Sequence, residues 1–320
     1  MARTTRYAPD RGLTARMTAT MFLLGLVFVG FVALLIGILS AAGASSAAIV
    51  LVALLFGGGI AIISLFFSDK IALAAAGAVE VTPQQAPELH GIVDRLCALA
   101  DMDKPRVAIA PTQMPNAFAT GRNSKNSVLC VTAGLLSPRL GLEKEELEGI
   151  LAHELSHVAH KDVQVMTVAS LLAITAGLLV RFAFYSELFG GGRRSNDQNA
   201  FPVILVILAV SAVVYAISFL LIRLLSRYRE LAADRSGALL TGQPSKLASA
   251  LQKVSSGISK IPTQDLRTAE PLNAFYFAPA MKLSGGGPSL STLFSTHPSL
   301  EKRIEQLAKI QQQLGQASPR

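Results

Sequence analysis

The stretch LAHELSHVAH, Leu151 to His160, contains three of the five histidines of the 320-residue chain. His153 and His157 are four residues apart, so they lie one turn apart on the same face of a helix. At about 100° per residue, the leucines at positions 151 and 155 fall on the opposite face. The stretch therefore predicts an amphipathic helix with a histidine face. Its first turn is expected at the acidic residues Glu143, Glu145 and Glu146.

The pattern within this stretch is H-E-x-x-H, with Glu154 between the two histidines. Two imidazoles one turn apart can bind a single metal ion, and a glutamate beside them can act as a base. With the His and Glu frequencies of this chain, one such pattern has a chance of roughly 0.3%. The alternative is a polar helix face without chemistry, and the placement of the pattern on an amphipathic helix favours the metal.

A catalytic zinc needs a third protein ligand and an open coordination position. His160 lies on the correct face but a further turn along the helix, so we expect it to make a polar contact instead. Val163 stands where the metzincin pattern requires histidine, which excludes that class. The stretch SRYRELAADRSGA offers Glu230 as third ligand, and Asp234 as hydrogen-bond partner of a ligand imidazole. The alternative is an exposed helix with a like-charge pair, which would be mildly unfavourable.

The composition indicates a membrane protein, because 51% of the residues are hydrophobic and 16% are charged. Four uncharged apolar runs are each long enough to cross a bilayer, at 17–39, 47–67, 163–180 and 201–222. Four buried core helices would leave too little polar surface for a chain of this size. The first run is too long for a signal peptide and fits an uncleaved anchor. We therefore expect a mainly α integral membrane protein with four transmembrane helices.

These runs divide the chain into five parts. We expect a basic cytoplasmic tail (1–16), a transmembrane hairpin (17–67), the first half of a soluble domain with the histidine helix (68–162), a second hairpin (163–222) and the second half of that domain with the third ligand (223–320). The first half should start a helix at Thr82-Pro83 and then form three short strands. The predicted strands are Arg106–Ala110, Ala117–Thr120 and Val128–Thr132. A terminal amphipathic helix should follow Pro298.

The basic residues predict the orientation. Arginines of the tail and of Arg223–Arg229 flank the same side of the four runs, whereas Arg181, Arg193 and Arg194 flank the other. The larger group should be cytoplasmic. Two spans separate His157 from Glu230, so both fall on one side. The +8 net charge is thus explained by the bilayer as partner, and no nucleic acid is expected.

Several motifs, in order, resemble the HtpX family of membrane zinc peptidases, relatives of the prenyl-protein endopeptidases that cut CAAX proteins. They are SDKIALAAAGAVEVTPQQAPELH, PNAFATGRN, HELSHVAHKD, SRYRELAADRSGALLTG and LFSTHPSLEKRI. The resemblance extends from about Leu23 to Leu307. The long N-terminal tail and the loop Lys260–Pro288 depart from the pattern, which leaves the substrate range open.

The resemblance implies a gluzincin-like α+β zinc protease domain with a small β-sheet beside the H-E-x-x-H helix. It implies one zinc ion per chain on His153, His157 and Glu230, with Glu154 as general base. It further implies a multi-pass protein of the bacterial cytoplasmic membrane that cleaves misfolded or damaged membrane proteins, or unfolded proteins, on the cytoplasmic side. A processing peptidase of narrow specificity, for prenylated or signalling peptides, and a non-catalytic membrane scaffold are the alternatives.

Two further residues are candidates for contacts with substrate or transition state. His297, in the THPS motif, would donate to the oxyanion, or else it simply precedes the helix after Pro298. Asn116 opens a segment, up to Gly121, that could be an edge strand pairing with an extended substrate. The alternative for that segment is a plain structural hairpin.

Overall fold

The computed structural model describes residues 11–41, 59–170, 173–174, 176–177, 200–259 and 297–317. These residues are mostly helical, with one small mixed sheet. The helices are α1 (Arg11–Ala41), α2 (Gly59–Ala76), α3 (Pro87–Ala100), α4 (Lys144–Ala159), α5 (Ala200–Thr241), α6 (Pro244–Ser259) and α7 (Leu300–Ala317). Residues 162–170 are also helical, and Ser124–Asn126 and Pro138–Leu140 form single 3-10 turns.

The sheet contains four strands in the order β1-β2-β4-β3. They are β1 (Val79–Glu80), β2 (Arg106–Ala110), β3 (Ala117–Gly121) and β4 (Ser127–Thr132). Strand β2 runs parallel to β4, while β1 and β3 are antiparallel to their neighbours. The three predicted strands are confirmed to within one residue at their ends. The sequence gives no signal for β1, whose two residues are both exposed.

Strand β3 forms an edge of this sheet and pairs only with β4 among the described strands. Its pairing ends at Gly121, which has a φ of +138° that an L side chain rarely adopts. A Cβ there would lie 2.2 Å from the carbonyl oxygen of Asn126, so the turn into β4 requires glycine. Strand β3 is therefore an edge strand that also forms a hairpin with β4, so the structure agrees with both interpretations of the segment from Asn116 to Gly121.

Helix α4 carries the histidine motif and begins as the sequence predicts. Glu143 and Glu146 form a reciprocal capping box, in which the backbone amide of Glu143 donates to Glu146 Oε2 at 2.7 Å. The carboxylate of Glu146 is 2% exposed and also accepts from Ser249 and Lys253 of α6. The start of α4 is therefore tied to α6.

Helix α3 begins later than the sequence predicts. Thr82–Ala86 forms a turn, closed by a hydrogen bond from the Gln85 amide to the Thr82 carbonyl, and the helix starts at Pro87. The prediction of a start at Pro83 was wrong because two prolines compete for the first turn. A residue that precedes proline is disfavoured in helical conformation, and Ala86 accordingly has a φ of −140°.

The core that positions the histidine motif lies between α4, the sheet and helices α3, α6 and α7. The apolar face of α4, with Leu151 and Leu155 fully buried, belongs to one apolar cluster with residues from all of these elements. Fully buried partners from α6 and α7 include Leu247, Leu251 and Leu307. Burial of a leucine contributes about 1.5–3 kcal/mol, so this core holds α4 firmly.

Two described helices contain stretches long and apolar enough to cross a membrane, Arg11–Leu34 in α1 and Leu205–Thr241 in α5. They cover most of the first and all but the start of the fourth predicted span. The second and third spans, 47–67 and 163–180, lie partly outside the described residues. The chain forms two compact units, one of which includes Phe66–Gln164 and Ser226–Arg320. The histidine motif, Glu230 and the charged residues around them belong to that unit.

Candidate metal centre

Three predicted ligands converge at one point of the structure. His153 and His157, from α4, bring their Nε2 atoms within 3.3 Å of each other. Glu230, from α5, places Oε2 3.7 Å from Nε2 of His153 and Oε1 3.4 Å from Nε2 of His157. Among the described residues, this is the group that could hold a metal ion.

The spacing of these atoms fits a tetrahedral ion. Ligands about 2.1 Å from such an ion lie about 3.4 Å from one another, which is close to the three observed distances. Glu230 is 7% exposed, and its Oε2 faces the ligand imidazoles and His297, whose Nδ1 lies 3.0 Å away. A buried carboxylate needs compensating partners. A cation bound between the three side chains would add to that compensation.

The first ligand imidazole is oriented by an aspartate. Oδ1 of Asp234, one turn beyond Glu230 on α5, lies 2.9 Å from Nδ1 of His153. Asp234 in turn accepts two hydrogen bonds from Arg303 of α7, at 2.6 and 2.7 Å. Burial lowers the pKa of His153, and Arg303 and His157 act in the same direction against Asp234. The imidazole is therefore kept neutral, as a metal ligand must be.

The second ligand imidazole also has a carboxylate partner. Nδ1 of His157 lies 2.6 Å from Oδ2 of Asp162, a residue that follows α4. Burial alone would lower the pKa of His157, yet hydrogen bonds to Asp162 and Glu230 raise it to about 10. In the absence of metal these carboxylates stabilise a positive charge here. A divalent cation satisfies the same demand.

Glu154 lies beside the ligands and next to the edge strand. Its side chain is 4% exposed, and Oε2 accepts a hydrogen bond of 3.2 Å from the backbone amide of Ala119 in β3. Burial raises the pKa of Glu154 to about 8, with Glu230 adding to the rise and His157 and Arg303 opposing it. A carboxyl with a pKa near neutrality can both accept and release a proton.

The remaining candidates fall at different distances from the centre. His297 is 7% exposed, and its Nδ1 lies 3.0 Å from Oε2 of Glu230, so it belongs to the centre. Asn116 is buried directly before β3, where its backbone amide donates to Thr132 Oγ1 at 2.8 Å. His160 ends α4, with its Nε2 3.4 Å from the Ser236 hydroxyl. It makes a polar contact, as expected.

Helix α5 passes very close to the backbone of α4 at Gly237. A Cβ at this position would lie 2.9 Å from the backbone nitrogen of His153 and 3.1 Å from its Cα. Real Cβ atoms essentially never come this close to backbone. The glycine therefore allows α5 to bring Glu230 and Asp234 against the ligand helix.

Sequence reasoning missed three charged residues of the centre, namely Asp162, Arg229 and Arg303. Each stands inside or directly beside a motif: Asp162 ends HELSHVAHKD, Arg229 precedes Glu230, and Arg303 lies in LEKRI. Their side-chain partners are distant in sequence or lie around a turn, so spacing alone gave no signal for them.

Comparison with known proteins gives the family. The model of peptidase family M48 matches residues 83–311, which include every residue of the centre. The chain belongs to peptidase family M48. Protease HtpX homolog 1 of Streptomyces coelicolor is 59% identical over 312 residues, covering 98% of this chain and 97% of the relative. The Protease HtpX homolog of Moorella thermoacetica is 50% identical, covering 95% and 96%. These matches confirm the resemblance to the HtpX family that the sequence motifs indicate.

A solved structure is also similar to this M48 peptidase. The crystal structure of S. mikatae Ste24p matches with a TM-score of 0.48 and 16% sequence identity. The match covers 93% of this chain and 66% of that one, which is just under two thirds of its length.

Proposed function

We propose that the chain is a zinc-dependent endopeptidase of the cytoplasmic membrane, which cleaves misfolded or damaged membrane proteins on the cytoplasmic side. The observation that carries this proposal is the convergence of His153, His157 and Glu230, with Glu154 between them and the edge strand. Each chain would hold one zinc ion on these three residues. When bound, zinc supplies Lewis-acid chemistry and acidifies a water molecule to a pKa of about 7.

Glu154 would carry the proton in this reaction. Its carboxylate takes a proton from the attacking water and later delivers it to the nitrogen of the leaving amine. Burial keeps Glu154 away from bulk water, as this transfer requires. The same burial is the main cause of its raised pKa of about 8 in the metal-free site. Asp234 keeps the ligand His153 in place through its Nδ1, at 2.9 Å.

Strand β3 is proposed to bind the substrate backbone. Because the amide of Ala119 donates to Glu154 rather than to β4, the side of β3 away from β4 faces the carboxylate. An extended peptide that pairs with β3 would place its carbonyl groups along the centre. Pairing through backbone groups tolerates many sequences, which suits a quality-control peptidase better than a processing enzyme. His297, 3.0 Å from Glu230, is the proposed donor to the oxyanion.

A substrate trap tests the physiological role. Cells that produce Glu154→Gln should retain bound substrates, because the variant keeps the three ligands and lacks the base. Proteomics of the purified variant should recover segments of many membrane proteins that are exposed to the cytoplasm. Recovery of one prenylated or signalling peptide would instead establish a processing peptidase. Wild-type protein prepared in the same way is the control for background binding.

A further inference from the structure

The chain makes an unusual turn directly after the ligand helix. His160 ends α4, and the next residue, Lys161, has a φ of +56°, a left-handed conformation that lysine rarely adopts. The Lys161 amide donates to the carbonyl of Val158 at 3.1 Å. This turn brings Asp162 back beside the second ligand histidine.

The carboxylate of Asp162 joins two donors. Its Oδ2 lies 2.6 Å from Nδ1 of His157 and 2.8 Å from Nη2 of Arg229. Asp162 is 2% exposed, so the carboxylate would be costly to bury without these partners. The ion pair with Arg229 therefore fixes the oxygen that receives the imidazole proton.

Arg229 and Glu230 are consecutive on α5. Glu230 approaches one nitrogen of the His157 imidazole directly, and Arg229 acts on the other nitrogen through Asp162. Glu230 places Oε1 3.4 Å from Nε2 of His157, on the metal-facing side. Arg229 acts on the opposite nitrogen, Nδ1, through Asp162. A rotation of α5 would disturb both contacts at once, so this pair of residues couples the helix that supplies Glu230 to the orientation of His157.

The first ligand is held in the same way by different residues. Nδ1 of His153 faces Asp234, and Asp234 is paired with Arg303. Each ligand imidazole thus has an aspartate at Nδ1, and each aspartate has an arginine that neutralises it. The two arrangements come from separate parts of the chain, because Asp162 follows α4 while Asp234 lies on α5.

We propose that Asp162 and Arg229 are positioning residues of the metal centre, acting on His157 as Asp234 and Arg303 act on His153. This inference rests on the zinc site proposed above. A hydrogen bond from Nδ1–H of His157 to Asp162 keeps the proton on Nδ1. The lone pair of Nε2 is then available to the metal, and the ring plane is fixed. Arg229 acts through Asp162 and does not touch substrate or metal.

The test measures zinc affinity of the purified full-length protein in detergent, by competition with a chelator. Asp162→Asn should weaken zinc binding by about 10–100-fold, the usual effect of losing such a partner. Arg229→Gln should weaken it as well, and Arg229→Lys should restore part of the loss. The double variant Asp162→Asn, Arg229→Gln should be no weaker than Asp162→Asn alone, since both changes act through one carboxylate. The absorption spectrum of the cobalt-substituted variants should also shift, because the ligand geometry changes.

Glu146→Gln is the matched control. Glu146 lies on the same helix α4, is equally buried at 2%, and pairs with a cation, Lys253, from a neighbouring helix. It does not contact a ligand. Its replacement should lower the unfolding temperature and leave the zinc affinity and the cobalt spectrum unchanged.

The outcomes separate this inference from the proposed function. A wild-type protein that binds no zinc would contradict the proposed function itself. Wild-type zinc binding with equal affinity in Asp162→Asn and Arg229→Gln would overturn the inference alone. Equal losses in Glu146→Gln would overturn it too, since they would reveal a general effect of destabilising α4. If Asp162→Asn does not fold, Arg229→Gln decides the question, because it leaves the carboxylate in place.

Discussion

At the scale of single residues, the centre is a set of buried charges that need one another. Glu230, Asp234, Asp162 and Glu154 are all buried, and they are matched by two arginines and the ligand histidines. Among the described residues, Glu154 forms no ion pair with a lysine or arginine, and its hydrogen-bond donor is the backbone amide of Ala119. It is therefore the carboxyl whose pKa burial raises, to about 8.

This shift has a consequence for the stability of the metal-free protein. Glu154 ionises near 4.5 in the unfolded chain and near 8 in the folded one, so its contribution to stability is present below pH 4.5 and is lost as pH rises to 8. Glu154→Gln cannot titrate. Thermal unfolding of both metal-free proteins should therefore show the variant gaining in relative stability between pH 5 and pH 8. A difference in stability between the two proteins that stays constant across that range would contradict the raised pKa of the buried Glu154 carboxyl.

The ligand assignment gives a second prediction at this scale. Glu230→Ala should lose most of the bound zinc, because two imidazoles alone leave the ion with too few protein ligands. His160→Ala should keep its zinc, since the ring lies against Ser236. Metal analysis of the purified proteins decides between them. Full zinc in Glu230→Ala together with loss in His160→Ala would show that the wrong residue was assigned.

At the scale of elements, the helices were predictable where their apolar residues recur at helical spacing. Helix α4 follows from its apolar period and its acidic first turn, and the two histidine ligands follow from i, i+4 spacing. Arg303 was not predictable in this way, because it reaches His153 across 150 positions of sequence. Gly237 was missed because glycine within a helix indicates only a low helix propensity. Only the packing of α5 on α4 shows why no side chain fits there.

Gly237→Ala tests this packing. The added Cβ meets the backbone of His153, which cannot move aside without moving the ligand. We expect a loss of about 1–3 kcal/mol in stability and weaker zinc binding. Gly91→Ala is the control, because Gly91 is exposed on α3 with nothing within 4 Å of its Cβ position. It should be neutral or slightly stabilising in thermal unfolding. Similar behaviour of the two variants would contradict the close approach.

At the scale of the whole molecule, zinc should stabilise the folded protein. The three ligands come from α4 and α5, and the residues that orient them from α5, α7 and the turn after α4, so one ion links segments that are distant in sequence. Zinc at 100 times its dissociation constant should add about 2.7 kcal/mol to the free energy of unfolding. The unfolding temperature of metal-free protein should rise on zinc addition, and in Glu230→Ala it should rise far less. An equal rise in both would mean that zinc binds elsewhere.

The proposed orientation in the membrane rests on the distribution of arginines along the sequence. Contacts within the molecule do not indicate which side is cytoplasmic. Ser195, outside the described residues, is predicted on the outer side, and Gln312, exposed on α7, on the cytoplasmic side. A membrane-impermeant thiol reagent should label Ser195→Cys in intact cells and leave Gln312→Cys untouched. The native cysteines should not interfere, because burial raises the pKa of Cys97 to about 11 and of Cys130 to about 12. The reverse labelling pattern would place the centre on the other side.

The central claim is that this constellation hydrolyses peptide bonds and does not merely bind metal. Glu154→Gln removes the base, preserves the size of the side chain and leaves His153, His157 and Glu230 in place. The measurement is the rate at which wild-type and Glu154→Gln protein, at equal zinc loading, hydrolyse an unfolded protein such as casein. Loss of general-base help should slow cleavage by at least about 100-fold, or about 2.7 kcal/mol of barrier, with zinc still bound. Equal rates per zinc would contradict the assignment of this centre as the site of catalysis.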